Sequence, residues 1–243
     1  LDQLRDEDSL DVEQPGWRAA LRTLRERGLV ERIEIAADTE TGPGLRPATE
    51  KNASPSVSPN PEQQAAIDAI LAAQGFAPFL LDGVTGSGKT EVYLQAIAAC
   101  LARGQQALVL VPEIGLTPQA LARFRARLGV PVHALHSGLS DRERAQVWLR
   151  AASGQARVIV GTRSAVFVPL PQAGLIVIDE EHDGSYKQFD GIRYHARDFA
   201  LLRARALAVP IVLGSATPAL ETLHNARTGK VTRLNWMRAP KHA

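Results

Sequence analysis

Short apolar segments alternate with longer amphipathic segments along most of this chain. Several runs of three to five residues are apolar almost throughout, and the stretches between them carry apolar residues at helical spacing. Strands of this kind are typical of a parallel sheet that helices cover on both faces. The pattern predicts a doubly wound α/β domain, with ligands at the carboxyl ends of its strands. The predicted strands are 79–82, 107–111, 132–135, 158–160, 175–178 and 209–213.

The first 37 residues show a separate pattern. Pro15 stands at a plausible helix start, and apolar residues recur at helical spacing until Gly28, after which an alternating strand follows. This pattern resembles the last helix and first wing strand of a winged-helix module that binds DNA, although a generic helix-to-strand turn would produce it too. Residues 38–58 are rich in Thr, Pro, Gly, Ser and Asn, which predicts a linker. The α/β domain is therefore expected over 59–243.

Composition narrows the class of protein without naming a function. The chain has 243 residues, of which 45% are hydrophobic and 22% charged, as in ordinary globular domains. A formal net charge of +2 means that any nucleic-acid partner must be met by local basic patches. The single cysteine, Cys100, excludes a disulfide framework and predicts a buried, inert thiol. No signal peptide or long apolar run is evident, so we expect a cytoplasmic protein without a membrane partner.

The segment after the first predicted strand matches the phosphate-binding pattern G-x-x-x-x-G-K-[ST]. The candidate nucleotide-binding residues are Gly83, Thr85, Gly86, Ser87, Gly88, Lys89 and Thr90. Glycines let backbone amides surround a phosphate, and the following helix adds its positive amino terminus. Lys89 can place its charge on the β and γ phosphates, and the Thr90 hydroxyl can ligate a bridging Mg²⁺. Tyr93 and three later apolar residues continue that helix at helical spacing.

An acidic segment, Asp179-Glu180-Glu181-His182, follows the predicted strand 175–178 and should reach the same edge of the sheet. Asp179 is placed to hold Mg²⁺ through its water shell, and Glu180 to orient and deprotonate the water that attacks the γ-phosphate. A solvated acidic turn is the alternative, but the phosphate loop argues against it. His182 is either a surface histidine or a group that couples the site to phosphate state.

Seven motifs together carry a family resemblance. They are "GVTGSGKTEVY", "VPEIGLTPQ", "HSGLS", "GTRSAVF", "DEEHDGSYKQ", "RYHARD" and "GSATP". Their order and spacing resemble those of superfamily 2 helicases, and the full set resembles the PriA family of replication-restart DNA helicases. The resemblance implies a RecA-like first helicase lobe, ATP with Mg²⁺, and 3′ to 5′ unwinding of single-stranded and forked DNA. It also implies primosome proteins and single-stranded DNA-binding protein as partners of a monomer.

The resemblance also implies roles for further residues. Gln63 would read the adenine edge, although an ordinary helix N-cap at Asn60 is compatible with the same segment. DNA contacts are implied for Pro112, Glu113, Thr117, Thr162, Arg163, Ser164, Tyr186, Lys187, Phe189, Tyr194 and Arg197. Backbone groups, hydroxyls, cations and stacking aromatics would make these contacts, with structural turns and a packed loop as alternatives. Ser215 and Thr217 would couple the acidic segment to the DNA-facing surface.

The chain also departs from that family pattern. The second lobe with its transition-state arginine, the zinc-binding cysteines and the amino-terminal DNA-binding domain are absent from the sequence, and Leu1 replaces an initiator methionine. We therefore expect a piece of a longer enzyme, weakly active or inactive by itself, with zinc only in the rest of the family member. Two alternatives remain: another superfamily 2 branched-DNA translocase, or a non-catalytic module that binds ATP and DNA.

Overall fold

The structure, a computed structural model, describes residues 59–236. The predicted winged-helix segment at 1–37 and the linker at 38–58 lie outside the described residues, as does the end of the predicted α/β domain. Both predictions therefore stay predictions. Within the described part, no helix is both long and apolar enough to cross a membrane.

Helices and strands alternate along the described chain, as the sequence predicts. The helices are α1 (Pro61–Ala72), α2 (Lys89–Ala102), α3 (Pro118–Leu128), α4 (Asp141–Ala152), α5 (Ala196–Ala206) and α6 (Leu220–Arg227). The strands are β1 (Pro78–Gly83), β2 (Gln106–Leu110), β3 (Val132–Leu135), β4 (Val158–Gly161), β5 (Ala173–Ile178), β6 (Lys187–Gln188), β7 (Tyr194–His195), β8 (Ile211–Ser215) and β9 (Thr232–Trp236). Short 3-10 turns span Glu113–Gly115, Arg163–Phe167 and Gly184–Tyr186.

The main sheet is parallel, in the order β3-β4-β2-β5-β8-β1-β9. All six predicted strands are present in it. β9 was not predicted, because its residues mix polar with apolar side chains and most of those described are exposed. β6 and β7 form a separate antiparallel hairpin inside the segment predicted as a loop.

Two hydrophobic cores cover the two faces of the sheet. Alternate residues of each strand enter opposite cores, because successive side chains of a strand point to opposite faces. Leu81, Val109 and Val177 pack with helices α1, α2 and α3. Leu80, Leu108 and Ile176 pack with α5 and with the 3-10 turn at Arg163–Phe167. Strands buried on both faces explain the continuous apolar runs in the sequence.

The sheet order determines what lies together at the carboxyl edge. β8 lies between β1, which leads into the phosphate-binding loop, and β5, which leads into the acidic segment. Neighbouring strands are about 4.8 Å apart, so the loop and the acidic segment start roughly 10 Å from each other. A side chain from α2 can bridge that distance.

Candidate active site

Two glycines form the turn of the phosphate-binding loop. Gly86 and Gly88 have φ values of 77° and 88°, in the left-handed region where glycine carries no steric penalty. The Lys89 side chain is buried, and its Nζ donates to the Gly83 carbonyl at 2.8 Å. Thr85 and Gly86 are exposed at the crest of the loop. The crest of the loop is therefore accessible, while the lysine that follows it is buried.

Gln63 supports this loop from the start of α1. Its Oε1 accepts from the Asn60 amide at 2.9 Å, and the Asn60 side chain accepts from the Gln63 amide at 2.7 Å, which completes a capping box. Its Nε2 donates to the Ser87 carbonyl at 2.9 Å. A Cβ on Gly88 would lie 2.2 Å from the same nitrogen. The predicted N-cap at Asn60 is confirmed, and the adenine contact stays a prediction, because each end of the amide keeps one further hydrogen-bonding site.

Asp179 is held by groups from three directions. Its amide donates to Leu110 O at 2.9 Å, and its carbonyl accepts from the buried Tyr186 hydroxyl at 2.7 Å. Its Oδ1 accepts from the Tyr93 hydroxyl at 3.0 Å. Burial raises the pKa of the Asp179 carboxyl, while the Tyr93 hydrogen bond and the charge of Lys89 act against that rise. The loop lysine is thus close enough to influence this carboxylate, as the sequence predicts.

Glu180 and His182 extend the site toward the end of β8. Glu180 has a φ of 45°, an unfavourable conformation for a residue with a Cβ and one that is often found at functional sites. Its carboxylate lies 3.6 Å from His182 Nδ1. His182 also contacts the Ser215 hydroxyl at 2.7 Å and the Thr217 hydroxyl at 3.2 Å. The structure brings together residues for which the sequence predicts catalytic and coupling roles in separate motifs.

The oxygen groups at this edge suit a hard cation such as Mg²⁺. Thr90 offers a hydroxyl, and Asp179 and Glu180 offer carboxylates, all from the carboxyl edge of the sheet. Within residues 59–236, no group of three or more His, Cys, Asp or Glu residues could hold a metal by itself. Mg²⁺ usually binds through one or two carboxylates together with substrate phosphates, and the donor set fits that mode. When bound, the ion would neutralise charge on the phosphates.

Glu181 is a structural residue that the sequence did not single out. It is fully buried, and its Oε1 accepts from the Ala219 amide at 2.7 Å. Its Oε2 accepts from the Thr222 hydroxyl at 2.8 Å and from Arg197 Nη1 at 3.2 Å. Glu181 thereby joins the acidic segment to α5 and to the start of α6. Its place directly after Asp179 and Glu180, which are predicted to be catalytic, concealed this role, because the sequence alone does not show which side chains are buried.

Glu181→Gln is expected to destabilise the fold by about 2 to 3 kcal/mol, because it removes the charge of the buried partner of the Arg197 guanidinium. The contact of Arg197 Nε with Asp198 Oδ1 at 2.9 Å remains and limits the loss. Urea denaturation measures the free energy of unfolding. The matched control is Glu221→Gln, whose carboxylate is 73% exposed and 3.9 Å from the same guanidinium. The control should change stability by less than about 0.5 kcal/mol, and equal losses would contradict the assignment.

The aromatic and basic segment after Asp183 divides into buried and exposed parts. Tyr186 and Arg197 are buried, so stacking on a base does not fit Tyr186 and a phosphate contact does not fit Arg197. Phe189 is 64% exposed, with Lys187 Nζ 5.1 Å from the centre of its ring. Tyr194 is half-buried, and its ring packs edge-on against exposed Phe167 at 4.9 Å. Within this segment, the hairpin β6–β7 and the residues at its tip present groups that DNA can reach.

The two other motifs predicted to contact DNA also contain both buried and exposed residues. Pro112 and Thr162 are buried, so their side chains cannot contact a partner directly, while Glu113 and Ser164 are exposed. Arg163 Nη1 donates to Ser185 O at 3.0 Å and Lys187 O at 2.9 Å, which ties this motif to the hairpin. The Thr117 hydroxyl caps α3 by accepting from Ala120 N at 3.1 Å. Structural turns, the alternative interpretation, therefore account for much of these motifs.

Comparisons with known proteins agree with this geometry. The family model for DEAD/DEAH box helicases matches residues 60–226. Replication restart protein PriA of Haemophilus influenzae is 47% identical over 87% of this chain and 29% of its own length. PriA of Synechocystis is 52% identical over 86% of this chain and 25% of its own length. The chain thus spans about a quarter of the length of these relatives.

Solved structures agree on the fold. A RecG structure bound to a three-way DNA junction has a TM-score of 0.57 at 23% identity, covering 77% of this chain and 25% of RecG. The helicase domain of Hef from Pyrococcus furiosus has a TM-score of 0.53 at 22% identity, covering 74% of this chain and 38% of that domain. These likenesses confirm the predicted α/β fold. With its family model matched across the phosphate loop, the acidic segment and the end of β8, the chain belongs to the DEAD/DEAH box helicases of superfamily 2, and its sequence is similar to the PriA replication restart proteins.

Proposed function

We propose that this chain is the ATP-binding lobe of a DNA helicase that unwinds stalled or branched forks in the 3′ to 5′ direction during replication restart. One observation carries the proposal: the Tyr93 hydroxyl, on the helix that follows the phosphate loop, bonds to Asp179 of the acidic segment at 3.0 Å. Two motifs that are far apart in sequence therefore meet at one edge of the sheet. The similarity to PriA supports the biological context, including primosome proteins as partners.

In this proposal, the loop residues bind the phosphates and the acidic segment prepares the water. Lys89 and the amides of the loop would hold the β and γ phosphates, the Thr90 hydroxyl would ligate Mg²⁺, and Asp179 would hold the ion through its water shell. Glu180 orients the attacking water and accepts its proton. His182 transmits the state of this site through Ser215 and Thr217. An arginine from another lobe would complete the transition-state site.

DNA would bind on the side that carries the hairpin β6–β7. This surface offers the exposed Phe189 ring, the Lys187 ammonium and the Tyr194–Phe167 aromatic pair. Aromatic rings stack on bases of any sequence, and cations pair with the phosphate backbone. Arg163 holds the base of the hairpin through main-chain carbonyls.

Phe189→Ala is expected to weaken single-stranded DNA binding by about 1 to 3 kcal/mol, roughly 5- to 150-fold, because one stacking platform is lost. Fluorescence anisotropy with a labelled oligonucleotide measures the affinity. Phe76→Ala is the matched control, because Phe76 is also exposed but precedes β1, at the opposite edge of the sheet. Equal affinities for wild type and Phe189→Ala would remove the hairpin from the DNA interface.

The proposed activity is tested in the complete protein with forked DNA. ATP hydrolysis should require Mg²⁺ and should rise when single-stranded or forked DNA is added. Forks with a 3′ single-stranded arm should be unwound, while a matched set with only 5′ arms should not. Hydrolysis that DNA does not stimulate would overturn the helicase proposal. Unwinding from 5′ arms alone would overturn the direction.

A further inference from the structure

Tyr93 shares a face of α2 with the phosphate-loop lysine. Lys89 and Tyr93 are four residues apart, so their side chains project from the same side of the helix, one turn from each other. Both are buried, and both reach polar groups at the carboxyl edge of the sheet: Gly83 O for Lys89 and Asp179 Oδ1 for Tyr93. α2 thus presents a lysine and a phenol to the same site.

The Tyr93 hydroxyl reaches Asp179 by passing over β8. Gly214 lies on that strand, between β1 and β5. A Cβ on Gly214 would lie 1.5 Å from the Tyr93 hydroxyl oxygen, a distance that no packed structure allows. Glycine at this position is therefore a requirement of close approach, because any larger residue would displace the phenol. Tyr93 on α2 can therefore reach the Asp179 carboxylate because position 214 is a glycine.

The Tyr93 hydroxyl contacts the carboxylate of Asp179 and not its main chain. Its hydrogen bond ends on Oδ1, whereas the main chain is held separately by Leu110 O and by the Tyr186 hydroxyl. Phenylalanine would fill nearly the same volume as Tyr93, so packing alone does not require the oxygen. A buried hydroxyl costs free energy unless it is bonded, and its bond here is to the predicted Mg²⁺ residue.

We propose that Tyr93 is a positioning residue for Mg²⁺: by holding Oδ1 of Asp179, its hydroxyl fixes the orientation of the second carboxylate oxygen toward the water shell of the ion. The inference rests on the proposed function, since it assumes that Mg²⁺ and nucleotide bind at this edge. Groups that orient a metal ligand contribute strongly to metal affinity, and their loss typically costs 10- to 100-fold. Gly214 takes part by leaving room for the phenol.

The test compares nucleotide binding with and without the metal. The affinity of the complete protein for a fluorescent ADP analogue is measured in EDTA and over a Mg²⁺ titration. Tyr93→Phe should bind the analogue in EDTA within about twofold of wild type, while the midpoint of the Mg²⁺ titration rises about tenfold. Gly214→Ala should raise that midpoint too, because its methyl group displaces the phenol.

Tyr186→Phe is the matched control, since it removes one buried hydroxyl that bonds to the carbonyl of the same aspartate. It should lower thermal stability while keeping the wild-type Mg²⁺ midpoint. An unchanged midpoint in Tyr93→Phe, or the same rise in Tyr186→Phe, would overturn the positioning role even where nucleotide binding is intact. If wild type binds no nucleotide with or without Mg²⁺, the proposed function itself fails.

Discussion

Lys89→Ala is expected to lower the affinity for Mg²⁺-ATP by about 10- to 100-fold, because hydrogen bonds to charged groups are worth about 1.5 to 3 kcal/mol. The Lys89 ammonium is buried and already held 2.8 Å from Gly83 O. Because this side chain is ordered, phosphate binding costs little further conformational entropy at Lys89. Alanine removes the charge and leaves the loop amides to bind the phosphates alone.

Thermal denaturation with increasing Mg²⁺-ATP measures this change. A ligand that binds only the folded state raises its stability with concentration, so the ligand-induced rise in melting temperature reports the affinity. At a given ligand concentration, the rise should be smaller in Lys89→Ala than in wild type, because the same stabilisation needs about 10- to 100-fold more ligand. Lys230→Ala is the control, because Lys230 is an exposed lysine between α6 and β9. A rise that Lys89→Ala preserves would remove the phosphate loop from nucleotide binding.

Glu180→Gln is expected to reduce DNA-stimulated ATP hydrolysis by about 10²- to 10⁴-fold while ATP binding is retained. The amide has the shape of the carboxylate but cannot accept the proton of the attacking water. The residue is held at a φ of 45°, and its carboxylate is 3.6 Å from His182 Nδ1, so its place is set by the backbone and by a neighbour. Gln can keep that backbone, which is why binding should survive.

Steady-state hydrolysis and equilibrium ATP binding, both in the complete protein, distinguish catalysis from structure. Glu62→Gln is the matched control, since it makes the same change at an exposed position in the first turn of α1. It should leave both quantities at wild-type values. If Glu180→Gln weakens ATP binding as much as it slows hydrolysis, Glu180 maintains the nucleotide site and another group activates the water.

Much of the fold follows from local sequence. The apolar runs predicted six strands because strands buried on both faces need apolar residues at every position. The phosphate loop was predicted from its glycines, and two of these have the left-handed φ values that glycine tolerates. The N-cap at Asn60, the alternative interpretation of the segment that contains Gln63, is confirmed by a capping box. In each case the physical cause acts within a few residues of the chain.

Contacts between distant residues could not be predicted in this way. The sequence placed Tyr93 at helical spacing after the phosphate loop. Its hydrogen bond to Asp179 joins residues 86 positions apart. Glu181 resembled a third site carboxylate, yet it is fully buried against the amide of Ala219, 38 positions later. Tyr186 was predicted to contact DNA, but its side chain is fully buried in the core on one face of the sheet.

The sequence by itself determined the class of fold, the phosphate loop, the acidic segment and the family resemblance, because each depends on residue types at fixed local spacing. The tertiary structure alone decided which side chains are exposed to a partner and which hold the site together. Burial and hydrogen-bond partners depend on the order of strands in the sheet, which places β8 between β1 and β5. That order brings Tyr93, Gly214 and Asp179 together, and no local pattern encodes it.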